Sequence, residues 1–162
     1  TTEYSKEQCC CFTGHRRMPG EQVIEIKRRL EDIMEDLIGR GVECFWFGGA
    51  LGFDTAAALT ALTLREQYPF IKVILVLPCR NQSSVWRQPD VDVYNWIISQ
   101  ADEIIYTADD YDPGCMHRRN HYLVDHCTIC VYYLTQRRGG TFATVKYARS
   151  RGLTLIPVAE GL

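Results

Sequence analysis

Residues 71–77 read IKVILVL, a continuous apolar run rich in β-branched side chains and closed by Pro78. A strand with one wet face would alternate apolar with polar residues. A run without alternation belongs to a strand covered on both faces, as in a parallel sheet sandwiched between helices. Working outward, similar short runs recur: CCCFT (9–13), ECFWF (43–47), EIIYT (103–107), TICVYYL (128–134) and TLIPV (154–158). Between them lie stretches of helical character. Val23, Ile26, Leu30, Ile33, Met34 and Leu37 return at helical spacing and stop near Gly39 and Gly41. An alanine-rich helix is expected over 54–67, with others over 91–100, 115–127 and 141–151. Strand alternating with helix predicts an α/β fold: a three-layer, Rossmann-like, doubly wound parallel sheet of about six strands.

The 162 residues suit one compact domain. We expect residues 1–8 to be a flexible N-terminal leader and 9–162 a single domain. No apolar run reaches the length of a membrane span, and no signal-peptide core opens the chain. A cytoplasmic location is therefore expected, with no membrane partner. The net charge of −2 speaks against nucleic acid, whose binding rests on neutralising phosphates. Eight cysteines invite a metal or disulfide reading. Cys9, Cys10 and Cys11 are consecutive, however, and consecutive strand residues point to opposite faces. Cys127 and Cys130 have no second pair at zinc-finger distance. Reduced, mostly buried thiols are expected, with no metal site and no cofactor. His117, His121 and His126 are read as surface or satisfied residues.

In parallel sheets of this kind ligands bind beyond the carboxyl ends of the strands. Two glycine-rich junctions lead from such ends into helices. In GGALGFDT (48–55) the glycines Gly48, Gly49 and Gly52 precede Asp54, whose carboxylate is expected to cap the helix and compete with any anion. That loop should form a wall of the pocket or meet neutral hydroxyls. In RGGT (138–141) Gly139, Gly140 and Thr141 carry no acid, and Arg137 and Arg138 add positive charge, so this junction is the better phosphate cradle. Thr141 is read as a cap or a hydroxyl donor. Arg119, in CMHRRNHYLVDHC (115–127), is placed to reach the same strand ends, with a surface ion pair to the Asp109–Asp112 turn as its plain structural reading. There is no G-x-S-x-G elbow, no P-loop and no full dinucleotide fingerprint, which disfavours familiar hydrolases, nucleotidases and NAD-dependent dehydrogenases.

Taken together, CCFTGHR (10–16), GGALGFDTAAA (48–58), the Pro78 loop with Trp86 and Tyr94, RNHYLVD (119–125) and GGTFATVKYA (139–148) resemble the YpsA-like family of the SLOG superfamily. That Rossmann-like group includes LOG phosphoribohydrolases and the DNA-processing protein DprA (Smf). The resemblance implies a pocket for a nucleotide or nucleotide-derived ligand, such as an ADP-ribose or NAD-like molecule or a nucleoside monophosphate. It places Thr13, Gly14, Arg16, Gly48, Gly49, Gly52, Asp54, Trp86, Arg119, Asn120, Gly139, Gly140 and Thr141 around that ligand, with Trp86 stacking on a base or merely covering the pocket edge. It also implies a possible homodimer. MHRRN followed by GGT is similar to the two motifs of LOG enzymes, which cleave the N-glycosidic bond of nucleoside 5′-monophosphates through an arginine and a glutamate. Arg119 matches the arginine; Thr144-Val145-Lys146 stands where the glutamate would be. Glycosidic cleavage needs a carboxylate near the ribose. Catalysis of that kind would fall to Arg119 with Asp54 or Asp125, and a DprA-like affinity for single-stranded DNA is the further alternative.

Overall fold

The computed structural model describes residues 4–162. Among these, six strands form one parallel sheet: β1 (Cys9–Gly14), β2 (Cys44–Phe47), β3 (Lys72–Leu77), β4 (Glu103–Tyr106), β5 (Ile129–Tyr133) and β6 (Thr154–Pro157). Five α-helices connect them: α1 (Val23–Gly39), α2 (Phe53–Gln67), α3 (Gln88–Gln100), α4 (Cys115–Asp125) and α5 (Gly139–Ser150). The strand order is β4-β3-β2-β1-β5-β6, and every pairing is parallel. The chain winds outward from β1 in one direction, then crosses back to β5 on its other side. The order therefore reverses between β1 and β5, where two loops diverge and leave a crevice.

Side-chain alternation along the strands feeds two separate cores. Cys10, Phe12, Phe45 and Phe47 pack with Ile26, Leu30 and Met34 of α1, Phe53 and Ala57 of α2, and Tyr94 and Ile97 of α3. Cys9, Cys11, Cys44 and Trp46 point the other way, onto Leu123 and Val124 of α4 and Ala148 of α5. Stacking of Phe12 on Phe47, with centroids 4.7 Å apart, ties the central strands across the first layer. The IKVILVL run splits between both layers: Val73, Leu75 and Leu77 face one and Ile74 and Val76 the other. This is the three-layer α/β architecture expected from the missing alternation.

All eight cysteines are free and buried. Cys9 lies beside Cys44 and Cys11 beside Cys130 on neighbouring strands, while Cys10 faces the opposite layer. Burial pushes the Cys127 thiol up to about 11 and holds it as an uncharged apolar filler. No helix is long and apolar enough to cross a membrane among the described residues.

Three helix ends differ from expectation by two residues or more. Helix α3 begins at Gln88 rather than 91, because Pro89 in a first helical turn removes only an N–H that would be unpaired anyway. Helix α4 ends at Asp125, two residues early, and Cys127 turns into the core. Helix α5 begins at Gly139, whose φ is +90°, and Arg138 is the extended residue before it. Of the expected leader, residues 1–3 lie outside the described residues. Lys6–Gln8 form a 3₁₀ turn, the Thr128 hydroxyl donates to the Lys6 carbonyl at 3.0 Å, and the Cys9 thiol donates to the Ser5 carbonyl.

Candidate functional site

The carboxyl end of β1 runs into Gly14, which packs so closely on Phe53 that a Cβ there would lie 2.4 Å from the ring. A side chain at this position would push β1 off the start of α2. Two main-chain bonds fix the loop beyond: Phe53 N–H donates to the His15 carbonyl, and His15 N–H to the Tyr133 carbonyl. His15 Nε2 in turn accepts from Thr135 N–H at 2.9 Å, tying the β1 loop to the β5 loop. Gly52 adopts φ +79°, and a Cβ there would fall 1.9 Å from the Arg16 carbonyl oxygen. Only glycine lets the chain turn sharply into α2 against that backbone.

Between these loops opens a cavity of about 320 Å³, of the size that small-molecule sites usually have. It lies at the reversal between β1 and β5. Nine of the residues expected around a ligand line it: Thr13, Gly14 and Arg16 from β1 and its loop, Asp54 from α2, Arg119 and Asn120 from α4, and Gly139, Gly140 and Thr141 from α5. His15, Ala50, Met116, Gln136 and Arg138 also line it, and the first four were not among the residues expected around a ligand. His15 follows the strand-end glycine and Gln136 precedes the arginine pair, so their position just past strand ends was the available signal.

The other expected residues take different places. Gly48 lies beneath the wall, where its carbonyl accepts from Arg119 Nη1 and a Cβ would meet Arg119 Nη1 at 2.6 Å and Asp54 Oδ2 at 3.0 Å. Gly49 and Gly52 shape the loop and do not line the cavity; the Gly49 carbonyl accepts from Gln82 Nε2 at 2.9 Å. Trp86 packs edge-on against Tyr94 at 5.0 Å, outside the cavity. Asp125 sits at the far end of α4, accepting from the Tyr147 hydroxyl at 2.6 Å and paired to Arg151 at 3.7 Å. It is not part of the crevice.

Two adjacent arginines of α4 divide the roles that sequence had left open for one. Arg118 takes the surface ion pair, to Asp112 at 2.8 Å. Arg119, one step on, turns inward and is only 5% exposed. Its Nε donates to Asn120 Oδ1 at 2.8 Å, and burial pushes the guanidinium below its ordinary value while Asp54 raises it. The charge stays, since guanidinium does not deprotonate in proteins.

Asp54 is buried as well, but it is not the helix cap that the sequence implied. Gly52 holds the cap position, and Asp54, second in α2, reaches back so that Oδ2 accepts from Ala50 N–H at 3.2 Å. Its Oδ1 has no hydrogen-bond partner. Burial pushes the carboxyl up to about 6, against the pull of Arg119 and Arg16. A buried carboxyl with a free lone pair is an acceptor waiting for a donor, and such groups cluster at functional sites.

The N-terminus of α5 is the opposite case. No side chain caps it and no acid stands in its first turn, so of the two roles read for Thr141, cap or hydroxyl donor, the cap is not taken. Thr141 lies inside the first turn, and its neighbour Thr144 bonds back to the Gly140 carbonyl at 2.8 Å. The unpaired N–H groups and the positive end of the helix dipole thus open onto the cavity, a setting that favours an anion.

This geometry, a reversal-point crevice between two glycine junctions on a parallel sheet, agrees with the sequence comparisons. Residues 4–151 match the family model described as the YspA SLOG family, and the chain belongs to that family. It is 29% identical over 145 residues to the SPbeta prophage-derived protein YoqJ of Bacillus subtilis, covering 82% of this chain and 85% of that one. It is 34% identical over 105 residues to a UPF0398 protein of Bacillus velezensis, covering 65% and 53%. The match thus spans about half the length of that relative. Among solved structures, DprA from Streptococcus pneumoniae superposes with a TM-score of 0.70 at 16% identity, covering 94% of this chain and 50% of that one. DprA from Helicobacter pylori, solved for its single-stranded DNA binding mode, gives 0.70 at 17%, covering 94% and 65%. At such identities the likeness is one of fold. It also removes the force of excluding nucleic acid on net charge alone, since one neighbour on this fold is described as binding DNA.

Proposed function

We propose that the protein binds a nucleotide or nucleotide-derived small molecule in the crevice between β1 and β5. The observation that carries this reading is the pairing of opposite chemistries in one cavity. The acid-free start of α5, with Arg138 and Arg16 beside it, suits a phosphate; the half-satisfied carboxyl of Asp54 suits a hydroxyl donor such as a ribose. Arg119 balances the buried carboxyl and presents charge to the same space. Family membership supports the reading in kind and leaves the ligand's identity to experiment.

A thermal-shift panel with AMP, ADP-ribose, NAD and a short single-stranded oligonucleotide tests it. A ligand at about 100 times its Kd adds ~2.7 kcal/mol, which for a chain of this size is a rise of roughly 5–10 °C. A rise with a mononucleotide or ADP-ribose, absent in Arg119→Ala, is expected. A rise with the oligonucleotide alone would replace this reading with a DprA-like one.

A second reading, N-glycosidic hydrolysis, rests on Asp54. Its carboxyl lines the cavity with a pKa pushed up to about 6, a value suited to proton transfer near neutrality. In that case Asp54 would activate water or steady the ribose cation, in the role for which the LOG-type glutamate is missing, and Arg119 would orient the phosphate. Incubation with AMP and detection of free adenine by mass separates binding from turnover.

A further inference from the structure

Arg16 lines both the crevice and a depression of about 750 Å³, Gln136 lines both the crevice and one of about 380 Å³, and Thr135 lines both depressions. Arg17 lines the first and Arg137 the second, on either side of the seam between the β1 and β5 loops. Both are exposed, and neither makes an ion pair among the described residues. Elsewhere the surface arginines are mostly spoken for: Arg28, Arg40, Arg80, Arg118 and Arg151 each hold a carboxylate. Among the described residues the only acid lining either depression is Glu160, in the second.

Arg17 and Arg137 also sit on loops that are tied together. The Thr135 N–H to His15 Nε2 bond and the His15 N–H to Tyr133 carbonyl bond join the two loops that carry them. In a chain of net charge −2, unpaired guanidinium groups gathered along one rim make a local positive field. Guanidinium is also the side chain best matched to phosphate oxygens.

We infer that Arg17 and Arg137 form a second anion subsite outside the crevice, so that the ligand carries a further phosphate beyond the one seated at α5. This deepens the proposed function and rests on it. The shared chemistry is a nucleotide extended by another phosphate, which a nucleoside diphosphate sugar and a short oligonucleotide both supply. A compact pyrophosphate keeps the two charges adjacent, whereas a diester places a sugar between them.

The test measures dissociation constants by calorimetry for AMP, ADP, ADP-ribose and a 5′-phosphorylated dinucleotide, on the wild type and on the double variant Arg17→Ala, Arg137→Ala. At least one extended ligand should bind about tenfold or more tighter than AMP, with an advantage that shrinks as salt is raised. The double variant should lose that advantage and bind AMP and the extended ligands alike. Which arm shows the gain, diphosphate or dinucleotide, identifies the source. Equal affinities for AMP and all extended ligands, or an advantage that survives the double substitution, would overturn the subsite while leaving the crevice intact. Absence of binding by all four ligands would overturn the nucleotide reading and this one with it.

Discussion

Arg119 of α4 and Asp54 of α2 face each other across Gly48 without a direct ion pair. A Cβ on Gly48 would lie 2.6 Å from Arg119 Nη1 and 3.0 Å from Asp54 Oδ2. The glycine is the gap through which the two charges are felt. Replacing it with alanine must displace a guanidinium that is bonded to the Gly48 carbonyl itself. Gly48→Ala should therefore cost about 1–3 kcal/mol, the usual penalty for overpacking, and weaken ligand binding by tenfold or more. Denaturant melts together with calorimetry check it; unchanged values in both would mean that Arg119 moves freely.

The raised carboxyl of Asp54 makes stability depend on pH with a definite sign. Its folded pKa of about 6 lies above its ordinary 3.8, so between those values the folded state holds the proton more tightly. The stabilisation is full below about pH 4 and is lost as pH rises through 6, a change on the order of 3 kcal/mol. Asp54→Asn should flatten this part of the profile. Arg119→Met, which removes the cation that pulls the carboxyl down, should shift the window to higher pH. Urea melts from pH 4 to 7 give the slopes, and identical slopes for wild type and Asp54→Asn would refute the assignment.

Gly140 offers a clean way to separate helix stability from anion binding. A side chain there meets nothing within 4 Å, and its φ is not in the left-handed region. Gly140→Asp should leave the fold intact and steady α5 by about 0.3–1 kcal/mol, because an acid suits a helix N-terminus. The same carboxylate would occupy the phosphate's place. Thermal stability should hold or rise while affinity for phosphate-bearing ligands disappears; retained affinity would move the phosphate elsewhere.

The two candidate acids should part company on substitution. Asp125 serves Tyr147 and Arg151 at the far end of α4, so Asp125→Asn should cost no more than about 1.5 kcal/mol, the scale of one hydrogen bond. Ligand affinity, and any release of base from AMP, should be unaffected. Equal loss of turnover in Asp125→Asn and Asp54→Asn would show that distance from the crevice is no guide.

Much of the fold was legible because it depends on pattern. IKVILVL lacks alternation since both its faces are covered, and CCCFT could be split between layers by strand geometry alone. The crevice was legible in outline, because strand ends and glycine junctions mark it. What could not be read was rotation. Nothing in Arg118-Arg119 says which turns inward; that follows from the angle at which α4 packs on the sheet. Asp54 stood at a helix start and looked like a cap, but the turn at Gly52 moved the helix boundary ahead of it. Trp86 had the chemistry of a stacking platform, and the packing of the Pro78 loop set it against Tyr94 instead.

The alternation of CCC has a practical corollary. Five thiols lie under the α4–α5 layer, at Cys9, Cys11, Cys44, Cys127 and Cys130, and Cys10 lies under the layer of α1, α2 and α3. Since all eight are buried, a thiol reagent in native buffer can react only as fast as the molecule opens. Mass spectrometry of the labelled positions would time each layer separately. The chain thus carries built-in clocks for its two halves, and they run without any added probe.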